Sequence, residues 1–254
     1  MIPNFWDSRE ILTRPDLSAL PRFRFLTTTD FPPFNFIDRE KRLTGFNVEL
    51  ARAICRELQV LTRCQIQAMP FAEIEDALAR GEGDAVIAGI SISPENRTRF
   101  EFSRPYLRIP SRFANRRNAI IDEPMSRAVE RHVTGLVDGS AQQKWLMLAM
   151  PNAKTELFAT RQAAFEALKL GKVDLVFLDA LSLSYWLQSE AAESCCTFAG
   201  GPYFTSPQHG DAMTIAFARG QNALAAATDY ALKEISDSGA FADLYLRYFP
   251  MGLY

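Results

Sequence analysis

Apolar residues recur along the chain at two periods. Residues 23–27 form a short, nearly continuous apolar run, the mark of a buried strand. Over residues 47–58, Val48, Ala51, Ile54, Cys55 and Leu58 fall on one helical face. Asn47 is the candidate cap of that helix, and Gly45 frees the turn before it. Strand, helix and strand are expected at 64–68, 72–79 and 85–88. A second series predicts a strand at 134–137, helices at 141–150 and 160–168, a strand at 175–178 and a helix at 180–188. Residues 213–217 read as one strand, and 222–238 and 240–248 as helices divided by Gly239. Strands alternating with helices predict parallel α/β sheets.

The phrase A-L-x-x-G-x-x-D-x-V occurs twice, from Ala77 to Val86 and from Ala167 to Val176. Physically it is a helix end, a left-handed glycine stop, an acidic turn residue and a buried strand. It reads either as two unrelated helix-to-strand joints or as two lobes of similar build. On the second reading a first lobe comprises 22–110 and 212–254, and a second lobe 111–211. Residues 1–21, with three prolines and no period, are a surface extension. Two crossings between lobes make a hinge, and a hinge between α/β lobes makes a cleft.

Composition narrows the class. The chain is 48% apolar and 23% charged, which excludes a disordered or fibrous protein. The formal charge of −2 argues against nucleic acid as a partner. No apolar stretch reaches the roughly 18 residues of a membrane span. Residues 1–21 lack the basic start and apolar run of a signal peptide, so an exported form would already have lost one. The four cysteines form no C-x-x-C pair and there are only two histidines, so no metal site is expected.

Several longer phrases carry a resemblance. They are Phe31-Pro32-Pro33-Phe34-Asn35-Phe36, Leu43-Thr44-Gly45-Phe46-Asn47-Val48-Glu49-Leu50-Ala51, the run from Asp84 to Glu95, and Phe102-Ser103-Arg104-Pro105-Tyr106. The second half adds Gly135-Leu136-Val137-Asp138-Gly139-Ser140 and the run from Asp174 to Asp179. In this order and spacing, over residues 23–249, the chain resembles the periplasmic solute-binding proteins of amino-acid ABC importers, family 3, the type that includes the histidine-binding protein. The resemblance implies a two-lobed periplasmic binding protein type II fold: two parallel or mixed sheets flanked by helices, joined by a two-crossing hinge. It also implies a disulfide between Cys55 and Cys64, the reading preferred here; in a reducing compartment the two would be small buried hydrophobes. Such a bridge would place the protein in the periplasm. Cys195 and Cys196 are adjacent, a spacing that rarely bridges, and no role is assigned to them.

The implied ligand is a free amino acid, which needs an acid for its ammonium, a cation for its carboxylate and several hydrogen-bond donors. The family places at Asp179 an aspartate that pairs with the ammonium, although a helix cap explains that residue equally well. Ser91 and the backbone of Gly89 fall where the family binds ammonium and carboxylate. Ser93 is the next hydroxyl, and both serines also fit as caps of a short helix beginning at Pro94. The family's carboxylate arginine corresponds, without a gap, to Asn96. Arg97 lies one residue on, a rotation of about 100° on a helix. Arg97 is the expected clamp, because a guanidinium fork suits a carboxylate and an amide lacks its charge; the other reading is a solvated surface arginine. Gly139, Ser140 and Ala141, after Val137, open a helix whose free N–H groups would hold an anion. Ala141 stands where the family often has threonine. Phe31 and Phe71 fall where the ligand side chain is sandwiched. Thr28 replaces an acid that selects cationic ligands in the histidine-binding type, and Asp30 is the nearby substitute. The two phenylalanines also suit an apolar or aromatic side chain. Phe34 and Phe36 are expected to pack the lobe edge.

The resulting expectation is a monomeric binding protein without catalysis or cofactor, taking a small molecule to a membrane permease. Two other readings stay open. Cyclohexadienyl dehydratases resemble the same family and would use Glu95, Asp138 or Asp179 as a positioned acid. A sensory domain would bind without transport. The family does not account for the crowd of Arg97, Arg99, Arg104, Arg108, Arg112, Arg116 and Arg117, which meets one acid, Glu101. Most of these arginines are expected to be solvated or paired with acids elsewhere.

Overall fold

A computed structural model describes residues 4–7, 9–90, 92–93, 95–121, 124–204 and 212–254. The chain forms two compact units. One comprises residues 2–108 and 212–250; the other comprises 109–211, with 251–254 grouped alongside it.

The first unit begins with β1 (Phe23–Thr27), then β2 (Asp30–Phe31), β3 (Asn35–Ile37) and β4 (Leu43–Thr44), a small antiparallel sheet. Next come α1 (Phe46–Glu57), β5 (Cys64–Ala68), α2 (Phe71–Ala79), β6 (Ala85–Val86), β7 (Phe100–Phe102) and β8 (Leu107–Arg108). The second unit holds β9 (Ser111–Arg116), α3 (Met125–Arg131), β10 (Thr134–Val137), α4 (Ala141–Ala149), β11 (Thr155–Phe158), α5 (Arg161–Lys169), β12 (Leu175–Asp179), α6 (Ala180–Gln188) and β13 (Cys196–Tyr203). The chain then returns to the first unit as β14 (Ala212–Met213), β15 (Ala216–Ala218), α7 (Asn222–Asp237) and α8 (Ala240–Tyr248). The single strand expected at 213–217 is thus two. β14 pairs with β8, whereas β15 enters the main sheet, because the intervening Thr214 and Ile215 bond to Ile90 and Ser103 instead.

The main sheets share one plan. The first runs β5-β1-β6-β15-β7 and the second β11-β10-β12-β9-β13. In each, the first three strands are parallel and the next joins antiparallel. The repeated phrase occupies the same place in both. Gly81 and Gly171 end α2 and α5 with φ of 72° and 73°. Asp84 then accepts the Arg24 N–H at 2.8 Å, and Asp174 accepts the Val133 N–H at 3.0 Å. Each aspartate therefore holds the start of the neighbouring parallel strand.

Asn47 is not the cap of α1. Gly45 occupies that position, and Asn47 is wholly buried in the first turn. The orphan N–H groups there are satisfied by the preceding loop: Phe46 N–H donates to Pro33 O, and Asn47 N–H to Phe34 O. The Asn47 side chain is thereby released for an inward role. Its Nδ2 donates to Asn35 Oδ1 at 2.9 Å, and its Oδ1 accepts from the Tyr106 hydroxyl at 2.9 Å. Asn35 Nδ2 donates in turn to Thr28 Oγ1. All four residues are buried.

The expected Cys55–Cys64 disulfide is present and ties the end of α1 to β5. Cys195 and Cys196, expected to stay apart, are also bonded to each other. The arginine-rich stretch is largely spent on local partners. Arg99 meets Glu75 and Asp76, Arg116 caps Leu168 O and Val173 O, and Arg112 lies over the Phe198 ring.

The N-terminal extension is fastened to the first unit. Glu10 makes a two-pronged ion pair with Arg104, whose guanidinium also lies over Trp6. Beneath them Asp229 accepts the Arg104 N–H, and burial pushes its carboxyl from 3.8 up to about 6. A native acid that holds its proton more tightly than the unfolded chain gains stability as pH falls. The Asp229 contribution to stability should therefore rise as pH drops from about 6 towards 3.8. Asp229→Asn should abolish that rise, which urea melts across the interval would measure.

Candidate functional site

Both units place candidate residues at the carboxyl ends of their parallel strands, where open α/β sheets bind ligands. In the first unit three loops converge: the one after β1, the one leading into α2, and the one after β6. Thr28, Asp30, Phe31, Phe71, Ala88 and Gly89 line a cavity of about 370 Å³. Five of these six are residues singled out from sequence. Thr28 is 2% exposed and forms the end of the buried polar chain from Tyr106. Asp30 is exposed, and its carboxylate meets no partner among the described residues. Phe31 stacks on Phe34 at 4.8 Å, so its ring is fixed from behind. Phe34 is fully buried, packing as expected. Phe71 is 52% exposed, an unusual setting for a phenylalanine. Gly89 has φ of 80°, and a Cβ there would lie 2.7 Å from the Phe31 ring. The glycine lets the backbone pass close to that ring.

The loop after Gly89 carries the remaining candidates of this unit. Ser91 lies outside the described residues. Ser93 and Asn96 bond reciprocally: Ser93 N–H donates to Asn96 Oδ1 at 2.8 Å, and Asn96 N–H donates to Ser93 Oγ at 3.2 Å. They close a short helical turn at Asn96–Thr98. Arg97 is exposed, and its guanidinium has no partner among the described residues.

In the second unit the equivalent ends are those of β10 and β12. Ser140 caps α4, accepting from Gln143 N–H at 3.1 Å, and Gln143 Oε1 accepts from Gly139 N–H at 2.7 Å. This reciprocal cap uses one of the N–H groups expected to face an anion. Ser140 N–H is turned to Val137 O, which leaves Ala141 at the mouth of the helix. Asp179 ends β12 and caps α6: its Oδ1 accepts from Ser182 N–H at 2.8 Å. Arg161 Nε stands 3.7 Å from its other oxygen. The described residues contain no cluster of metal-ligating side chains.

A family model described as bacterial extracellular solute-binding proteins, family 3, matches residues 23–251. The chain belongs to that family. The ABC transporter arginine-binding protein 1 of Escherichia coli is 27% identical to this family 3 member over 237 residues, 92% of this chain and 93% of that one. Among solved structures, the L-cystine solute receptor of Neisseria gonorrhoeae, in its unliganded open conformation, superposes with a TM-score of 0.76 at 18% identity. It covers 90% of this chain and 92% of its own. An ancestral cyclohexadienyl dehydratase superposes with a TM-score of 0.72 at 17% identity, covering 92% and 95%. These likenesses show the type II periplasmic binding protein fold for this solute-binding protein. No described helix of it is long and apolar enough to cross a membrane.

The buried polar chain behind Thr28 had no signature in the sequence. Its members lie at 28, 35, 47 and 106, on four different segments. Polar residues inside otherwise apolar or proline-rich phrases were the one available hint.

Proposed function

We propose that this solute-binding protein captures a free amino acid with a cationic side chain, arginine foremost, and passes it to the permease of an ABC importer in the periplasm. The observation that carries the reading is the exposed Asp30 carboxylate, without a partner among the described residues, beside Phe31 and the half-exposed Phe71. A planar guanidinium can stack on a phenyl face while an acid binds its edge. An apolar ligand would leave the carboxylate desolvated and unpaired, which is costly. The name of the E. coli relative points the same way. The ligand's ammonium is assigned to Asp179. Its carboxylate is assigned to the N–H groups at the start of α4 with Ser140, and to Arg97. The protein acts as a monomer and performs no chemistry on its ligand.

Thermal-shift titration tests this directly, since a ligand of the native state alone raises the melting temperature. L-arginine, L-lysine, L-histidine, L-phenylalanine, L-cystine and prephenate form the panel. Arginine should give the largest shift, and Asp30→Asn should weaken arginine affinity by about 10-fold or more, the worth of a charge-assisted hydrogen bond, and so reduce that shift. A shift with phenylalanine and none with arginine would sink the cationic assignment. Turnover of prephenate would sink the non-catalytic one.

A further inference from the structure

The bonded pair Cys195–Cys196 lies outside everything assigned to the ligand. Cys196 is 1% exposed and packs in the second unit's core with Ala114, Leu187 and Ala192. Cys195 is half-buried, at the end of a turn in which Glu193 and Ser194 both adopt left-handed backbone, φ 48° and 54°. Two cations hold that turn. Lys169 Nζ donates to Ala191 O and Glu193 Oε1, at 3.0 and 2.6 Å. Arg117 donates its N–H to Cys195 O at 2.8 Å and its Nε to Ser194 O at 3.0 Å.

A disulfide stabilises mainly by closing a loop in the unfolded chain, and more so for longer loops. Cys55–Cys64, nine residues apart, does this. Cys195 and Cys196 are already joined by a peptide bond, so their bridge closes almost no loop. Opening it leaves the contacts of Lys169 and Arg117 and the β13–β9 pairing intact, because none of these uses a sulfur atom.

We propose that Cys195–Cys196 is a thiol-exchange site, opened by a dithiol reductant while the protein stays folded. The reductant's thiolate attacks the more accessible Cys195 Sγ, the S–S bond breaks, and Cys196 departs as a thiolate that takes a proton from water. The reductant's second thiol attacks its own sulfur in the mixed disulfide and releases Cys195. The protein gains two electrons and two protons, and the reductant becomes a disulfide. The product is a vicinal dithiol, able to chelate a trivalent arsenical with loss of water.

Native protein titrated with dithiothreitol, alkylated and peptide-mapped by mass spectrometry, tests this. Cys195 and Cys196 should be labelled at about 10-fold less reductant than Cys55 and Cys64, with thermal unfolding shifted by no more than about 2 °C. Phenylarsine oxide added after mild reduction should block both new labels. A Cys55→Ser/Cys64→Ser variant should keep the signal, and Cys195→Ser/Cys196→Ser should lose it. Labelling of 195 and 196 without reductant, or opening of both pairs only as the chain unfolds, would overturn the proposal.

Discussion

Asp179→Asn should lower amino-acid affinity by about 30- to 100-fold while leaving the melting temperature of the free protein within about 2 °C of the parent. The two readings of this residue, ligand partner and helix cap, separate in that variant. Asparagine caps a helix as well as aspartate, so the bond from Ser182 N–H to Oδ1 survives. What disappears is the negative charge. The contact with Arg161 is long, and that guanidinium is 64% exposed, so its loss costs little. An ammonium group sealed from water would lose a charge-assisted partner, worth about 2–3 kcal/mol. Asp179→Ala removes the cap too and should destabilise the protein by about a further 1 kcal/mol. Isothermal titration with the preferred ligand, beside thermal melts of the free protein, gives both numbers. Unchanged affinity in the asparagine variant would reduce Asp179 to a cap.

Gly45→Ala should be more damaging still, but to the fold. A Cβ there would sit 2.2 Å from Phe34 O, 2.5 Å from Phe34 C and 2.8 Å from Asn35 N, at a backbone φ of 127°. These neighbours are main chain and cannot swing aside. The Phe34 carbonyl also accepts from the first turn of α1, so moving it uncaps that helix. We expect a loss on the order of 4 kcal/mol and a melting temperature lower by roughly 10 °C. Gly81→Ala is the control: its φ is 72°, yet nothing lies within 4 Å of an added Cβ. That variant should cost only about 1–2 kcal/mol, the left-handed backbone alone. Equal melting of the two variants would mean the approach of Gly45 to Phe34 is looser in solution.

The sequence made the two-sheet α/β plan readable because its central parallel strands and amphipathic helices carry strong periods. The repeated phrase even marked equivalent joints, with Gly81 and Gly171, and Asp84 and Asp174, doing the same work. In the two main sheets the strands without a readable signal are β7, β9, β11 and β13, and outside them the short β2, β3, β4 and β8. β11 is an edge strand with three of its four residues exposed, so it has no apolar run to read. β13 also lies at an edge and contains Gly200, Gly201 and Pro202, which read as a turn. Asn47 was misread because a polar residue near a helix start looks like a cap. Its true partners, Asn35 and Tyr106, are 12 and 59 residues away. Of the candidate site, Thr28, Asp30, Phe31, Phe71 and Gly89 were legible as positions from phrase order. That Asp30 would stand without a partner among the described residues while Asn96 turned back on Ser93 depended on side-chain geometry that no phrase records.

The relay from Tyr106 through Asn47 and Asn35 to Thr28 has a direction. Each member donates toward the cavity: hydroxyl to amide oxygen, amide nitrogen to amide oxygen, amide nitrogen to hydroxyl. Aligned in this way the bonds reinforce one another, and the last member keeps a hydrogen of its own to offer. The inner wall is thus wired as a donor, with its polarity fixed before any ligand arrives. Among the described lining residues the one carboxylate is Asp30, at the rim. On the proposed reading the charge preference of the cavity would rest on that exposed residue, which can change without disturbing the wiring behind it.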